Sequence, residues 1–365
     1  MHITHIETLL HSDKVAVVRV ATDTGDEGIG QTACHGADLT VAVLHKLIAP
    51  IFLGANPWDL GALVDWAMRM NYKYNGTFKC RALCGVETAV WDLLGKLTGQ
   101  PVYRLLGGAM RERVPMYASS LSRTITPEQE AERMAAAVER FGFRCVKIKI
   151  GGRMSRDADA WPGRTEQIIP LMREALGPDI AISADANSSY SPAKAIQVGR
   201  LLERHNYFHF EEPCPYDEPE NTKLVADALD IPVAGGEQDW DLRAFKRMID
   251  TRTIDIVQLD VGYIGGVTRA RRVAELADLA GIVCTPHCAN QSLLQVFTLH
   301  LAAAMPACAH YQEYRIDDDT PWAQAIYTPL PLVVDGHIPL PTAPGWGVEL
   351  QPAFVRQAIT EISRQ

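Results

Sequence analysis

The sequence predicts an α/β protein: a (β/α)8 TIM-like barrel with an N-terminal α+β capping domain that is completed by the C-terminal segment. Residues 1–113 combine strand patterns with helical periodicity, which indicates an α+β unit. Across residues 114–320, short apolar strands alternate with amphipathic helices in about eight repeats, as expected for a closed parallel sheet. Residues 321–365 are rich in proline and glycine and lose this alternation, so we expect them to return to the capping domain.

The capping domain begins with two alternating strand patterns, His2–Leu10 and Val15–Thr22. The glycine-containing stretch Gly25 to Gly30 predicts a second turn of an antiparallel meander. Three segments with apolar residues at helical spacing follow, at Leu39–Ile48, Pro57–Met70 and Ala82–Leu97.

In the barrel, Thr126, Pro127 and Gln129 predict the start of the first helix through an N-cap, a first-turn proline and a capping-box glutamine. Short apolar runs predict the strands at Pro115–Ala118, Cys145–Ile150, Ile180–Ala184, Phe208–Phe210, Val233–Ala234, Ile254–Leu259 and Ile282–Thr285. Because helical segments separate these runs, the strands are expected to be parallel.

Charge and composition limit the partners. The 365 residues include 44 acidic and 35 basic side chains, a net charge of −9, with no basic run suited to a nucleic acid. No segment reaches the ~18 apolar residues of a membrane span, and the N-terminus lacks a signal-peptide pattern. Eight cysteines without dense spacing indicate buried thiols in a reducing compartment. We therefore expect a cytoplasmic protein that binds neither nucleic acid nor membrane.

Ionisable residues recur at the carboxyl ends of the predicted strands. They are Lys147, Lys149, Asp185, Glu211, Glu237, Asp260, His287 and Glu313. From Asp185 onward they are 26, 26, 23, 27 and 26 residues apart, the length of one strand–helix repeat. Strand ends in a barrel converge on one mouth, where the active sites of this fold lie. The spacing therefore predicts one shared site.

Asp185, Glu211 and Glu237 come from three consecutive strands, and three close carboxylates repel one another unless a cation compensates them. Oxygen ligands favour a hard dication, so this trio predicts a Mg2+ site in which Mn2+ could substitute. Each residue taken singly is better explained by a solvated loop charge or a helix cap; the repeat spacing of all three favours metal.

Two further pairs predict acid–base groups. Lys147 and Lys149 share one face of a strand, and mutual repulsion with partial burial is expected to lower a lysine pKa. Asp260 and His287 lie on neighbouring strand ends, where a carboxylate would orient the imidazole for proton transfer. The site would then hold one proton-transfer group on each side of a bound substrate.

These motifs, in order, resemble those of the mandelate racemase group of the enolase superfamily. The resemblance covers nearly the whole chain and rests on Gly99-Gln100-Pro101-Val102, Leu105-Leu106-Gly107-Gly108, Lys147-Ile148-Lys149, Asp185-Ala186-Asn187, Glu211-Glu212-Pro213, Gly236-Glu237, Asp260 with Gly265-Gly266-Val267, His287, Glu313 and Gly345-Trp346-Gly347. The related muconate-cycloisomerase group has a lysine across from Lys-x-Lys. Since Lys246 is the last lysine in this chain, that group is disfavoured.

The resemblance implies an enolase-type modified barrel, a homo-oligomer and Mg2+ bound by Asp185, Glu211 and Glu237. It implies that Lys149 and His287, the latter oriented by Asp260, transfer the proton next to a substrate carboxylate through an ene-diolate. Lys147 would add positive charge, and a protonated Glu313 would donate a hydrogen bond to the carboxylate.

Dehydration of a sugar acid to a 2-keto-3-deoxy acid is the favoured reaction, because the predicted loops at the mouth are polar and a polyol needs many hydrogen-bond partners. The segments Thr22–His35 and Met70–Phe78 are expected to form a lid. The candidate substrate contacts are Lys147, Asn187, His35, Tyr72 and Glu313, with Asn187 equally explained as a helix cap. A racemase or epimerase and a non-catalytic binding or scaffold protein remain the alternatives.

Overall fold

The computed structural model describes residues 1–317 and 321–365. The chain begins with an antiparallel meander of β1 (Ile3–His11), β2 (Val15–Thr22) and β3 (Glu27–Gln31). Helical segments follow: α1 (Ala37–Val43), a π-helical turn (Leu44–Ile48), α2 (Ala49–Phe52), a 3-10 turn (Pro57–Asp59), α3 (Leu60–Met70), α4 (Thr77–Thr98) and α5 (Val102–Leu105). Apolar side chains from the sheet and these helices form a separate core for this domain.

The glycines of β3 serve packing and not the predicted turn. Gly25 does occupy a turn, with φ of 85°, but Gly28 and Gly30 lie within the strand against α4. A Cβ on Gly28 would overlap the carbonyl oxygen of Ala89, and one on Gly30 would overlap the backbone of the same helix. The prediction of a turn over Gly25 to Gly30 was therefore wrong for its second half, because close strand–helix approach also requires glycine.

The barrel alternates strands with helices. Its elements are β4 (Arg113–Ser119), α6 (Pro127–Phe141), β5 (Cys145–Lys149), α7 (Arg164–Leu176), β6 (Ala181–Asp185), α8 (Pro192–Arg204), β7 (His209–Glu211), α9 (Pro219–Ala228), β8 (Val233–Gly235), α10 (Leu242–Asp250), β9 (Ile256–Val257), α11 (Val261–Ile264), α12 (Val267–Leu279), β10 (Val283–Cys284), α13 (Leu293–Ala304), a 3-10 turn (Pro306–Cys308) and β11 (Gln312–Arg315). The capping box at Thr126 and Gln129 is present.

Within the described residues, eight parallel strands form one curled sheet in the order β10-β9-β8-β7-β6-β5-β4-β11. No ladder joins β10 to β11 in that part of the chain. Instead, the backbone N–H of Cys288, after β10, donates to the Glu313 carboxylate of β11 at 2.9 Å. The predicted barrel is thus confirmed, and a side-chain contact spans the place where its two edge strands face each other.

The C-terminal segment contains α14 (Pro321–Gln324), β12 (Tyr327–Thr328), β13 (His337–Pro339), β14 (Glu349–Leu350), α15 (Pro352–Gln357) and β15 (Ile359–Arg364). β15 pairs antiparallel with β1, which completes the capping sheet as predicted. β13 instead pairs antiparallel with the start of β4, so the segment contacts both domains. The domain boundaries remain predictions, and the one at residue 320 lies outside the described residues.

The domain junction is a buried polar contact around Trp346. Its indole N–H donates to the carbonyl of Thr88 at 3.0 Å, and its backbone N–H donates to Asp92 at 2.8 Å, both on α4. His300 of α13 lies 3.1 Å from the Tyr103 backbone N–H and 3.2 Å from the Trp346 carbonyl oxygen. The capping domain, the barrel and the C-terminal segment therefore meet in one hydrogen-bonded cluster.

No single helix among the described residues has both the length and the apolar composition to cross a membrane. Ala37–Phe52 and Pro57–Met70 meet these criteria when taken together, with a bend of 110° between them.

Candidate active site

A cavity of about 600 Å3 lies at the carboxyl ends of the barrel strands, next to the capping domain. Of the predicted site residues it is lined by Lys149, Asn187, Glu237, Asp260 and His287 of the barrel and by His35 of the capping domain. Its position agrees with the expectation that strand ends of this fold converge on one site.

The three acidic residues predicted to bind metal converge. Asp185 ends β6, Glu211 ends β7 and Glu237 follows β8 by two residues; all three are buried. Each offers an oxygen that lies within 4.8 Å of the oxygens of the other two. A cluster of three carboxylate oxygens fits a hard divalent cation such as Mg2+.

The pKa values of Asp185 and Glu237 are set by different neighbours. Burial would raise the Asp185 pKa, but the ammonium groups of Lys149 and Lys147 hold it well below its usual range. The pKa of Glu237 is raised by burial, and the negative charges of Asp185 and Glu211 add to the shift against the opposing effect of His287. Repulsion between the carboxylates therefore adds to the raised pKa of Glu237, whereas the lysines compensate the charge of Asp185 more strongly.

The two lysines of β5 point into this acidic cluster. Lys147 Nζ lies 2.7 Å from Glu211 and 3.0 Å from Glu313, and Lys149 donates to Asp185. Burial lowers the Lys147 pKa, but the surrounding carboxylates raise it well above its usual value. The expectation of a lowered lysine pKa was therefore wrong for Lys147, since anionic neighbours outweigh repulsion between the lysines.

Asp260 and His287 form a hydrogen-bonded pair. Asp260 Oδ2 and His287 Nδ1 are 2.7 Å apart, while Nε2 lies 3.5 Å from Glu237 and 3.8 Å from Glu313. Burial alone would lower the His287 pKa, but the carboxylates of Glu237, Glu313 and Asp260 raise it to about 10. The imidazole therefore lines the cavity and is held in place through Nδ1.

Glu313 lies on β11 and is fully buried. It accepts hydrogen bonds from Ser119 Oγ at 2.6 Å and from the Cys288 N–H at 2.9 Å. Burial would raise its pKa, but Lys147 and His287 hold the pKa well below its usual range. Donation by Glu313 requires a protonated carboxyl group, whereas both donors and both cations favour the carboxylate.

The predicted substrate contacts divide into two groups. Asn187 and His35 line the cavity, and Lys147 and Glu313 are buried beside it. Tyr72 is 66% exposed and is not among the residues that line this cavity. On the surface, Lys73 Nζ lies 5.9 Å from the centre of the Tyr72 ring.

The predicted lid is also smaller than expected. Of Thr22–His35, the residues that line the cavity are Cys34 and His35, because β3 packs its glycines on α4. The Met70–Phe78 segment does not contribute to the lining of this cavity. Lys14, in the turn between β1 and β2, does line it and was not predicted.

The sequence did not predict a series of hydrogen bonds that runs from Arg123 through Asn187 to Asp185. This guanidinium donates to the Gly151 carbonyl at 2.9 Å and to Asn187 Oδ1 at 3.1 Å. Asn187 in turn donates to Asp185 through its backbone N–H at 2.7 Å and its amide at 3.2 Å. No spacing in the sequence links Arg123 to residues in two later loops, so the contact could not be inferred from the pattern.

Two further polar residues at the site were missed for other reasons. Gln258, directly after β9, donates to Glu211 at 2.7 Å. It is a buried amide within the apolar run Ile254–Leu259, a signal that could have been recognised. Glu212 is buried and lines the cavity beside Asn187. In the Glu211-Glu212-Pro213 motif, the sequence indicated a role for Glu211 and none for Glu212.

Comparison with known proteins agrees with this arrangement. Residues 3–107 match the N-terminal domain of the mandelate racemase / muconate lactonizing enzyme family, and residues 129–354 match the enolase C-terminal domain-like family. The chain therefore belongs to the mandelate racemase / muconate lactonizing enzyme family of the enolase superfamily.

Individual relatives span all or nearly all of the chain. The arabinonate dehydratase of Saccharolobus solfataricus is 28% identical over 93% of this chain and 89% of its own length. The crystal structure of a candidate racemase from Roseobacter denitrificans is 46% identical, with a TM-score of 0.97 and full coverage of both chains. A mandelate racemase/muconate lactonizing protein from Paracoccus denitrificans, complexed with magnesium, is 29% identical with a TM-score of 0.90, covering 100% of this chain and 99% of its own.

Proposed function

We propose that the protein uses Mg2+ to remove the proton next to the carboxylate of a sugar acid and to eliminate water, giving a 2-keto-3-deoxy acid. The observation that carries this proposal is a buried carboxylate trio, Asp185, Glu211 and Glu237, set between an amine and an imidazole. The dehydratase named among the relatives supports the elimination in particular.

The trio would hold Mg2+, which when bound supplies positive charge against the carboxylate oxygens of the ene-diolate as it forms. Lys147 contributes a fixed ammonium group beside the same oxygens, since Glu211 and Glu313 hold it there. Asn187, held by Arg123, keeps the Asp185 carboxylate oriented.

Proton transfer belongs to Lys149 and His287, which line the same cavity from different strands. One accepts the proton from the α-carbon, and the other donates a proton to the β-hydroxyl as its C–O bond breaks and water leaves. The resulting enol takes up a proton at the β-carbon and becomes the ketone. Asp260 holds His287 in one orientation throughout, because it binds the Nδ1 side of the ring.

A racemase or epimerase is the second candidate, and two observations favour it. The relative from Roseobacter denitrificans is described as a candidate racemase. An acid–base group on each wall of the cavity could also remove a proton from one face of the α-carbon and return it to the other.

Incubation of the Mg2+-loaded protein with a library of sugar acids in D2O tests both candidates. A dehydratase is expected to release a 2-keto acid that reacts with semicarbazide. Deuterium at the α-carbon of recovered substrate, with no keto product from any acid, would select the racemase and reject elimination. A non-catalytic binding protein would give neither signal.

The metal assignment has its own test. Glu237→Gln keeps the size of the side chain but removes one charged ligand, and we expect Mg2+ affinity by calorimetry to fall at least ~10-fold. Glu275→Gln, the same change at an exposed carboxylate on α12, is the control. Equal Mg2+ affinity in both variants would refute the assignment.

A further inference from the structure

The cavity is chemically divided between its floor and its rim. At the floor the cations are compensated: Lys149 by Asp185, and His287 by Asp260 at 2.7 Å. At the rim Lys14, His35 and Arg153 line the same cavity from three different loops, and all three are exposed. Within the described part of the chain, Lys14 and Arg153 have no carboxylate within 4.0 Å.

The rim residues act on one another. His35 is exposed but partly covered, and this partial burial is the first cause of its lowered pKa; the positive charges of Lys14, Arg81 and Arg153 lower the pKa further, against Asp13. Of these cations, Arg81 is already engaged, since it donates to the Cys34 carbonyl and stacks on the ring of Tyr263 at 3.8 Å. Lys14 and Arg153 therefore provide a positive field at the rim, and a neutral His35 remains between them as a hydrogen-bond partner.

The positive charge of Lys14 and Arg153 at the rim is opposite in sign to the net charge of the whole chain, which is −9. Like charges that share a rim without anionic partners repel one another, so the fold gains no stability from bringing them together. An anion that enters the cavity would receive charge-assisted hydrogen bonds from them.

The proposed reaction requires the substrate carboxylate at the floor, beside the acidic trio. The same carboxylate therefore cannot also bind the cations at the rim. We propose that the substrate is a dianion, a sugar acid with a second anionic group at its far end, and that Lys14, His35 and Arg153 bind this second group. An aldaric acid, with a terminal carboxylate, and a phosphorylated aldonic acid both supply such a group. The inference rests on the proposed function for the placement of the first carboxylate.

Matched sets of substrates test the inference. Each set contains an aldonic acid, the aldaric acid with the same stereochemistry and the aldonic acid phosphorylated at its terminal carbon, across the six-carbon epimers. We expect kcat/KM for one of the two dianions to exceed that of its matched aldonic acid by at least ~10-fold, and the dianion that is preferred identifies the group. Higher ionic strength is expected to reduce this preference.

Charge-removing variants assign the preference to residues. Lys14→Gln and Arg153→Gln are each expected to lower kcat/KM for the dianion by about 10-fold while changing that of the aldonic acid less than ~2-fold. Lys46→Gln and Arg356→Gln remove the same charges at exposed positions that do not line the cavity, and they should leave both values unchanged. Preference for an aldonic acid, or a dianion preference that survives both rim variants, would overturn the inference.

Binding separates this inference from the proposed function. If no acid is converted, calorimetry with the Mg2+-loaded protein measures the affinities of the same matched sets. Tighter binding of a dianion that is lost in the rim variants would support the second anion site even though elimination had failed. Absence of both turnover and binding for every dianion would overturn the inference as well.

Discussion

Buried polar groups at the cavity and at the domain junction are arranged in different ways. At the cavity floor and buried beneath it, Asp185, Glu211 and Glu237 bring like charges together, and lysines compensate part of them. At the junction, His300 and Trp346 are joined by hydrogen bonds between complementary groups. The comparison indicates that the cavity is arranged to bind a charged ligand and the junction to hold the domains. Substitutions should therefore separate activity from stability.

Replacement of His287 should give the largest effect on activity. His287→Asn removes a proton-transfer group, and we expect kcat/KM to fall by ~10²–10⁴-fold with a much smaller change in the free energy of unfolding. Turnover and urea denaturation measure the two quantities. His205→Asn, at a half-buried position that does not line the cavity, is the control. A loss of activity no larger than the fraction of protein unfolded would mean that this residue is structural.

The difference between the two regions also explains what could be predicted from the sequence. The floor residues follow from repeat spacing, since successive strands of a barrel bring their ends to one mouth whatever their loops do. Asp185, Glu211, Glu237 and His287 were found in this way.

Residues that depend on loop conformation or on inter-domain contacts could not be inferred. Lys14 reaches the cavity through a turn of the capping domain, and Arg123 reaches Asn187, 64 positions later in the chain. Gly28 has its role only when α4 lies against β3. Tyr72 was misplaced for the same reason, because periodicity does not determine how a loop leaves a helix.

At the junction, His300 should make stability depend on pH. Burial lowers its pKa to about 3, against an ordinary value of 6.5, so the unfolded chain binds the proton first as the pH falls. The contribution of the neutral, buried His300 to the free energy of unfolding is fully present above pH 6.5 and is lost as the pH falls from 6.5 towards 3. Between pH 7 and pH 4.5 this corresponds to roughly 2–3 kcal/mol.

Denaturation of wild type and His300→Gln at both pH values measures this contribution. We expect the variant to be less stable at pH 7 but to lose less stability on acidification, with activity per folded molecule retained. His2→Gln, at an exposed position, controls for removal of a histidine. The same loss on acidification in wild type and His300→Gln would exclude the junction as the origin of the effect.

Asp260 should affect activity through orientation. Asp260→Asn keeps a hydrogen-bonding group next to His287 Nδ1 but removes the charge that favours a single tautomer. Misorientation of a reacting group costs ~10²-fold, and we expect kcat to fall by about this factor with little change in KM. If KM rises instead while kcat is kept, Asp260 acts in substrate binding and not in positioning the imidazole.

The smallest effect is expected from Arg123, which contacts the cavity floor through another residue. Arg123→Lys keeps the positive charge but cannot donate to Asn187 and to two backbone carbonyls at once, as the guanidinium does. Asp185 would then be held less firmly, and we expect Mg2+ affinity to weaken by ~10-fold. Arg204→Lys, on the surface of α8, should leave affinity unchanged. Weaker Mg2+ binding with an unchanged free energy of unfolding would show that Arg123 positions the metal site. Lower stability with unchanged Mg2+ affinity would show that Arg123 only stabilises the fold.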